Sequence, residues 1–250
     1  MHAKAPVSFL LTAVAGCVDA LCYILLREVY TANMTGNLIS VGMGSLQHDR
    51  FRVWRGGLAV AEFLFGAIVG RLALRTTERS GIASAASVTF AAEAMLLAAF
   101  AELADPRMHH GELSPAHWPA FLAIAALPAI AMGMQNVTLR RVGPLTFYTT
   151  HVTGTLTRFA ESAIDALSWD RSARDRKEDL GKALFMAGLL ATYLWGAVIG
   201  VWLDQRHGAS GLWVPVLALA GVIALDQWRP LVEAGPRGPA REHEERAGMR

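Results

Sequence analysis

Three carboxylic acids interrupt long apolar runs that otherwise carry almost no charge. They are Asp19 in the run 7–26, Glu62 in the run 56–74 and Glu93 in the run 82–104. If these runs cross a lipid bilayer, each bare carboxylate costs at least about 2.5–3.5 kcal/mol, so it must face a cavity, pair with a cation or carry a proton. The acids therefore predict a proton or cation relay, or a counter-charge for a substrate. The alternative is that protonated acids form hydrogen bonds between helices.

Two polar segments, each with a Thr-Gly pair, form a second candidate site. The first Thr-Gly segment holds Asn33, Thr35, Gly36 and Asn37, and the second holds Thr150, His151, Thr153, Gly154 and Thr155. Thr or Asn just before a helix is a good N-cap, and the free N–H groups of a helix N-terminus attract anions and carboxylates. Each segment is therefore predicted to line a substrate site. The alternative is ordinary helix capping with packing of small residues.

Gln135 and Asn136 end another apolar run and are predicted to contribute to substrate binding. His151 has no second ligand at a metal-type spacing, so we expect a polar capping role and no metal site. The sequence contains no phosphate-binding Gly-rich loop, zinc-type His/Cys spacing or nucleophile elbow, so neither an enzyme nor a cofactor is expected. The formal net charge of +2 argues against a nucleic-acid partner.

The composition indicates the elements that must position these residues. The chain has 250 residues, of which 53% are hydrophobic and only 18% charged, against about 25% charged in typical soluble domains. A bilayer core requires about 20 apolar residues in a helix. Six runs fit this length: 7–26, 56–74, 82–104, 118–139, 180–203 and 211–227. Backbone groups in lipid must bond internally, so these runs are predicted to be transmembrane helices, and a soluble enzyme is excluded.

The segments 33–46 and 144–167, which contain the Thr-Gly pairs, allow more than one interpretation. The first is short and rich in Gly, and the second carries Arg158, Glu161 and Asp165. Each could be a full span, a half-helix or a re-entrant element. The distribution of Lys and Arg places both termini in the cytoplasm for either six or eight crossings, so it does not choose between them. Residues 229–250 are rich in Pro, Gly, Arg and Glu and predict a disordered cytoplasmic tail.

Three short motifs occur twice in the same order, which predicts an internal duplication. The pairs are GCVD at 16–19 with GMQN at 133–136, Thr-Gly at 35–36 with 153–154, and GAIVG at 66–70 with GAVIG at 196–200. A charged insert at 169–179 explains the longer spacing in the second half. The predicted halves are 7–104 and 118–227. Three crossings per half would make an inverted repeat and four a parallel one, and the short segment 33–46 favours the inverted arrangement.

The same motifs resemble those of a known family. The string Asn33-Met34-Thr35-Gly36-Asn37 follows Gly16-x-x-Asp19-Ala20, and the second half has the Arg140-Arg141 pair before Thr153-Gly154. This pattern is similar to that of the YoaK-like family of bacterial multi-pass membrane proteins, a domain of unknown function numbered 1275. Val152 stands where the family usually has Met. The resemblance covers nearly the whole chain and implies an inner-membrane protein, with no agreed substrate or activity.

The expected fold is an all-α polytopic membrane domain over residues 1–228, with six full transmembrane helices, two half-helix segments and two duplicated halves. The expected function is transport of a small solute or ion, with the site at the paired Thr-Gly segments and Asp19, Glu62 or Glu93 as the coupling group. The alternative is a non-transporting scaffold or assembly protein. The expected partners are the lipid bilayer and an unidentified solute or ion. The Gly-x-x-x-Gly motifs pack either within the chain or in a homo-oligomer, and the duplication favours the former.

Overall fold

The computed structural model describes residues 4–80, 85–104, 115–142, 152–169, 172–228 and residue 231. These ranges contain eight α-helices and no strand. The helices are α1 (Lys4–Leu25), α2 (Met34–Leu46), α3 (Arg50–Arg79), α4 (Ala85–Leu103), α5 (Trp118–Val142), α6 (Val152–Leu167), α7 (Ala173–His207) and α8 (Trp213–Trp228). Short 3-10 turns, Pro115–His117 and Gly208–Leu212, precede α5 and α8. The all-helical fold class is therefore confirmed for the described residues.

Five helical segments are long and apolar enough to cross a membrane. They are Ala5–Leu25, Arg50–Thr77, Ala85–Leu103, Trp118–Leu139 and Ala173–Trp228, the last of which joins α7 to α8. Large apolar side chains such as Phe65 on α3 and Trp195 on α7 are exposed on the outside of the bundle. A soluble protein rarely leaves such surfaces uncovered, whereas lipid covers them in a membrane. The chain is thus a polytopic membrane protein, as predicted.

The helices α1 and α7 lie side by side, run in the same direction and approach closely through glycines. Ala13 faces Gly196, and Cys17 faces Gly200, so residue numbers increase in the same direction along both helices. A Cβ on any of three glycines would meet backbone atoms of the partner helix: Gly16 against Tyr193, Gly196 against Ala13 and Gly200 against Cys17. Glycine is therefore needed here for backbone contact between helices.

The helices α3 and α5 form a second pair with the same geometry. The glycine contacts are Gly133 against Phe63, Gly66 against Ile130 and Gly70 against Met134. These glycines are the ones that the sequence motifs align with Gly16, Gly196 and Gly200. The motif-bearing helix of each predicted half therefore packs against the Gly-x-x-x-Gly helix of the other predicted half.

The helix α4 runs antiparallel to two of its neighbours, α5 and α8. Thr89 and Glu93 on α4 face Thr138 and Gln135 on α5, in reversed order, so α4 is antiparallel to α5. The Ser87–Asp226 and Glu102–Trp213 hydrogen bonds likewise make α4 antiparallel to α8.

The helices α2 and α6, which carry the two Thr-Gly pairs, are not among the described segments that are long and apolar enough to cross a membrane. Their 13 and 16 residues extend about 20 and 24 Å, against a hydrocarbon core of about 30 Å. α2 packs antiparallel along α3, where Gly56 lies against the carbonyl oxygen of Asn37 and Gly44 against Arg52. α6 packs along α7. Each helix that carries a Thr-Gly pair is thus supported by the long helix that follows it.

Asp226 fastens the end of α8 to the beginning of α4. Its Oδ2 accepts hydrogen bonds from the Ser87 backbone N at 2.9 Å and from Ser87 Oγ at 2.6 Å, and its Oδ1 accepts one from the Leu231 N at 2.7 Å. All three residues lie among the described part of the chain, and Asp226 and Leu231 are buried. The remainder of 229–250, predicted to be a disordered tail, lies outside the described residues.

We expect Ser87→Ala to lower the free energy of unfolding by about 1.5–3 kcal/mol, the usual contribution of a hydrogen bond to a charged group. The Oγ–H donor to Asp226 is lost, whereas the backbone donor remains. Thermal unfolding of the purified protein in detergent measures the effect. Ser45→Ala is the control, because Ser45 is exposed and its hydroxyl donates only to Val41 O one turn earlier in α2. Equal melting temperatures for the two variants would contradict the role of the Ser87 hydroxyl.

Candidate functional site

Asp19 lies buried on α1 and accepts four hydrogen bonds. Its Oδ1 accepts from the backbone N of Thr31 at 2.8 Å, from the backbone N of Ala32 at 2.9 Å and from Thr31 Oγ1 at 3.2 Å. Its Oδ2 accepts from the Tyr193 hydroxyl on α7 at 2.8 Å. An ionised carboxylate is a pure acceptor, so this set of four donors suits the charged form and compensates for its burial. The contacts fasten Asp19 to the chain before α2 and to α7.

The chain between α1 and α2 turns back toward the middle of α1. Arg27 and Glu28 both have left-handed backbone angles, with φ of 55° and 69°. The turn returns Thr31 and Ala32 to the level of Asp19, which lies six residues, or about 9 Å, before the end of α1. Because α2 begins two residues after Ala32, its N-terminus starts near the level of Asp19, before the end of α1 is reached.

Ionic contacts hold the outer end of this turn. Glu28 Oε2 lies 3.3 Å from Arg52 Nη2 and 3.4 Å from Arg55 Nη2, and Arg55 also donates to the carbonyl oxygen of Arg27. The pairs are partly exposed, so each stabilises the fold only modestly. Their position is what matters, because they tie the left-handed turn to the first turns of α3.

The first Thr-Gly segment forms the start of α2. Asn33 is the N-cap, with its Oδ1 accepting from the Gly36 N at 3.4 Å. Asn37 is buried, and its side chain pairs with the backbone of Tyr30, with Nδ2 donating to the carbonyl oxygen at 2.7 Å and Oδ1 accepting from the N at 3.0 Å. Asn33 and Thr35 are exposed. Of the four predicted binding residues, these two present polar groups to the surroundings.

The second Thr-Gly segment lies only partly within the described residues. Thr153, Gly154 and Thr155 form the first turn of α6, where Thr155 is buried and the other two are exposed. Thr150 and His151 lie outside the described residues. Since α2 packs on α3 and α6 on α7, the two segments are held by different helices, and no described hydrogen bond joins them.

Glu93 and Gln135 form a buried polar pair between α4 and α5. Both side chains are completely buried, and Gln135 Nε2 donates to Glu93 Oε1 at 2.8 Å. The other oxygens, Glu93 Oε2 and Gln135 Oε1, have no hydrogen-bond partner in the described part of the chain. One helical turn away, Thr138 Oγ1 lies 2.9 Å from Thr89 Oγ1. The sequence predicted Glu93 as a relay and Gln135 as a binding residue, and the structure brings the two together.

Glu62 and Asn136 occupy other places. Glu62 is half-buried on α3, one turn before Gly66, and forms no hydrogen bond or ion pair with the described residues. Asn136 is buried on α5, next to Gln135. The three predicted relay acids thus lie on three helices, with no described hydrogen bond from one acid to another. A relay among them stays a prediction.

Several residues that complete these contacts were not identified from the sequence. Tyr193 is the clearest case, because a buried tyrosine hydroxyl usually requires a partner, and Tyr193 lies one turn before Gly196 in an apolar run. Thr31, Thr89 and Thr138 carry no such signal, since threonine is common in transmembrane helices and loops. In the described ranges there is no group of three or more His, Cys, Asp or Glu residues that could hold a metal ion.

Comparisons with known proteins agree with the membrane fold. The sequence profile of a family described as "Protein of unknown function (DUF1275)" matches residues 7–225. The chain is also 28% identical over 214 residues to a UPF0700 transmembrane protein, YoaK, of Bacillus subtilis (strain 168), which covers 86% of this chain and 90% of that protein. No solved structure matches.

Proposed function

We propose that this chain, which belongs to the DUF1275 family of proteins of unknown function, is an inner-membrane transporter for a small solute or ion. Its long helices would make six crossings, with both termini in the cytoplasm, and its two halves would be inverted repeats. Duplicated halves with interrupted helices are common in transporters, whose sites lie near the bilayer midplane.

The observation that carries the proposal is the matched packing of the two helix pairs. The glycine contacts between α1 and α7 recur between α5 and α3 at every motif-aligned position. The directions of the helices support inversion. α1 is parallel to α7, the Gly208–Leu212 turn reverses the chain so that Gly211 lies against Leu203 of α7, and α4 is antiparallel to both α8 and α5. Taken together, these directions make α1 antiparallel to α5, its proposed counterpart, and an inverted repeat requires this relation.

The two half-helices supply the proposed substrate site. α2 begins at the depth of Asp19 with its N-cap and Thr35 exposed, and α6 begins with Thr153 and Gly154 exposed. A helix N-terminus inside a membrane protein presents free N–H groups and a positive dipole end, which suit an anionic or strongly polar part of a substrate. Two such ends, entering from opposite faces of an inverted repeat, would approach one site alternately open to each side.

The second candidate function is a scaffold that does not transport. The contacts of Asp19 favour a structural role for this residue, as the scaffold function would require. All four described hydrogen bonds of Asp19 fasten one part of the chain to another. Asp19 therefore acts as a structural anchor in this proposal, and the coupling group is sought elsewhere.

Cysteine labelling distinguishes the two candidates. The chain has only two cysteines, Cys17 and Cys22, both buried. In a Cys17→Ala/Cys22→Ala background, we expect Thr35→Cys and Thr153→Cys each to react with a membrane-impermeant thiol reagent in right-side-out and in inside-out vesicles. Leu217→Cys is the control, because Leu217 is exposed on α8 and would face lipid. Labelling of each position from one side only, or not at all, would contradict transport and favour the scaffold.

A further inference from the structure

The buried pair of Glu93 and Gln135 lacks one donor. One oxygen of each side chain has no described hydrogen-bond partner. These oxygens are Glu93 Oε2 and Gln135 Oε1. Leaving buried acceptors unsatisfied in this way costs about 1–3 kcal/mol each, and more if Glu93 is charged. We propose that Glu93 binds a proton on Oε2 and donates it to Gln135 Oε1. The acid and the amide then form two reciprocal hydrogen bonds, and a single proton satisfies both oxygens.

Nearby hydroxyl groups do not supply the missing donor. Thr89 Oγ1 donates to the carbonyl oxygen of Ala86 at 2.8 Å. Thr138 Oγ1 has two acceptors within 2.9 Å, Thr89 Oγ1 and the carbonyl oxygen of Met134, and a hydroxyl has one proton to give. Both hydroxyl protons are therefore already committed to other oxygens.

Charged groups on the neighbouring helices do not compensate for an ionised Glu93 either. α4 packs against α3, α5, α8 and the turn Gly208–Leu212. The apolar span of α5 and that turn contain no titratable side chain. On α8, Asp226 is engaged with Ser87, six residues before Glu93. On α3, Glu62 and Arg71 form no described ion pair with Glu93. A proton is the cation that fits this pair without further ligands.

The contrast with Asp19 shows why only one of the two acids is assigned a proton. Asp19 accepts four hydrogen bonds, whereas Glu93 accepts one. Both are buried, so the number of donors decides which form is compatible with the surroundings. The identification of this proton as the coupling ion rests on the proposed transport function, but the proton site itself does not.

Infrared spectroscopy of the purified protein in lipid tests the site. At neutral pH we expect the wild type to show the C=O stretching band of a protonated carboxylic acid, and Glu93→Gln to lose it. Glu93→Gln should fold, because the N–H and C=O of a glutamine offer Gln135 one donor and one acceptor, as the O–H and C=O of the protonated acid do. Asp19→Asn is the control and should retain the band.

A second variant keeps the test decisive if Glu93→Gln does not fold. Glu93→Gln/Gln135→Glu exchanges the acid and the amide, so the pair and the band should persist. A wild-type spectrum without the band, or a band unchanged in Glu93→Gln, would overturn the proposal. Loss of the band on adding Na⁺ at constant pH would also overturn it, in favour of a metal cation. None of these outcomes depends on cysteine labelling, so failure of the proton site and failure of transport can be told apart.

Discussion

Gly66→Ala is expected to prevent the protein from folding to its native state. A Cβ at this position would overlap the carbonyl group and Cα of Ile130 on α5, and a backbone cannot move aside as a flexible side chain can. Overpacking of an ordinary core costs about 1–3 kcal/mol, and a clash between two backbones belongs at or above the upper end of that range. The amount of monodisperse protein recovered from membranes, together with its melting temperature, measures the loss.

Two controls separate this clash from a general effect of losing glycine. Gly57 lies on the same helix, α3, and a Cβ there would meet only Val41, at an ordinary 4.0 Å. Gly57→Ala should therefore fold normally and gain about 0.5–1 kcal/mol, because alanine is the better helix former. Gly196→Ala on α7 should be as damaging as Gly66→Ala, since it meets the backbone of Ala13 in the same way. Normal yield of Gly66→Ala, or unequal effects at the two matched sites, would contradict the described packing.

Asp19→Leu is expected to destabilise the protein by about 3–5 kcal/mol, as is usual when one partner is removed from a buried charged network. Two backbone N–H groups and two hydroxyls would lose their acceptor at once, and Thr31 is completely buried with no access to water. The loop before α2 should detach from α1. Thermal unfolding in detergent measures the loss of stability.

Conservative variants test whether hydrogen bonding to Asp19 is the cause. Asp19→Asn keeps an acceptor for Thr31 and Ala32, so it should lose clearly less stability than Asp19→Leu. Tyr193→Phe removes only the donor on α7 and should cost about 1.5–3 kcal/mol, as for one hydrogen bond to a charged group. If Asp19→Leu were as stable as Asp19→Asn, the anchoring role would be wrong and a functional role for the charge would regain support.

The apolar runs and the glycine motifs made much of the fold predictable. The six predicted runs correspond to α1, α3, α4, α5, α7 and α8, although α3 and α7 extend well beyond theirs. The predicted insert 169–179 contains the beginning of α7, whose N-cap, Ser172, accepts a hydrogen bond from the Asp175 N. The sequence identified that stretch only as a charged insert, and the structure assigns residues 173–179 of it to the first turns of α7.

The candidate site was less predictable, because its contacts depend on backbone conformation and helix register. Asp19 was identified from its charge, but its donors are backbone groups delivered by a left-handed turn at Arg27 and Glu28. Non-glycine residues with positive φ leave no mark in a sequence. Glu93 and Gln135 were each singled out, but their pairing follows from the register of α4 against α5. A single sequence does not specify such a register between two apolar helices.

The packing of α1 against the late helix α7 also affects how the protein is made. α1 enters the membrane first, but Tyr193, Ala197 and Gly200, which it touches, are synthesised only after most of the chain has been translated. Until α7 has been synthesised, the glycine-lined face of α1 has no partner helix, and the carboxylate of Asp19 lacks the hydrogen bond from the Tyr193 hydroxyl. A chain truncated before α7 can still form the packing of α3 on α5, but the glycine-lined face of α1 stays uncovered, so such a chain should be a substrate for membrane quality control.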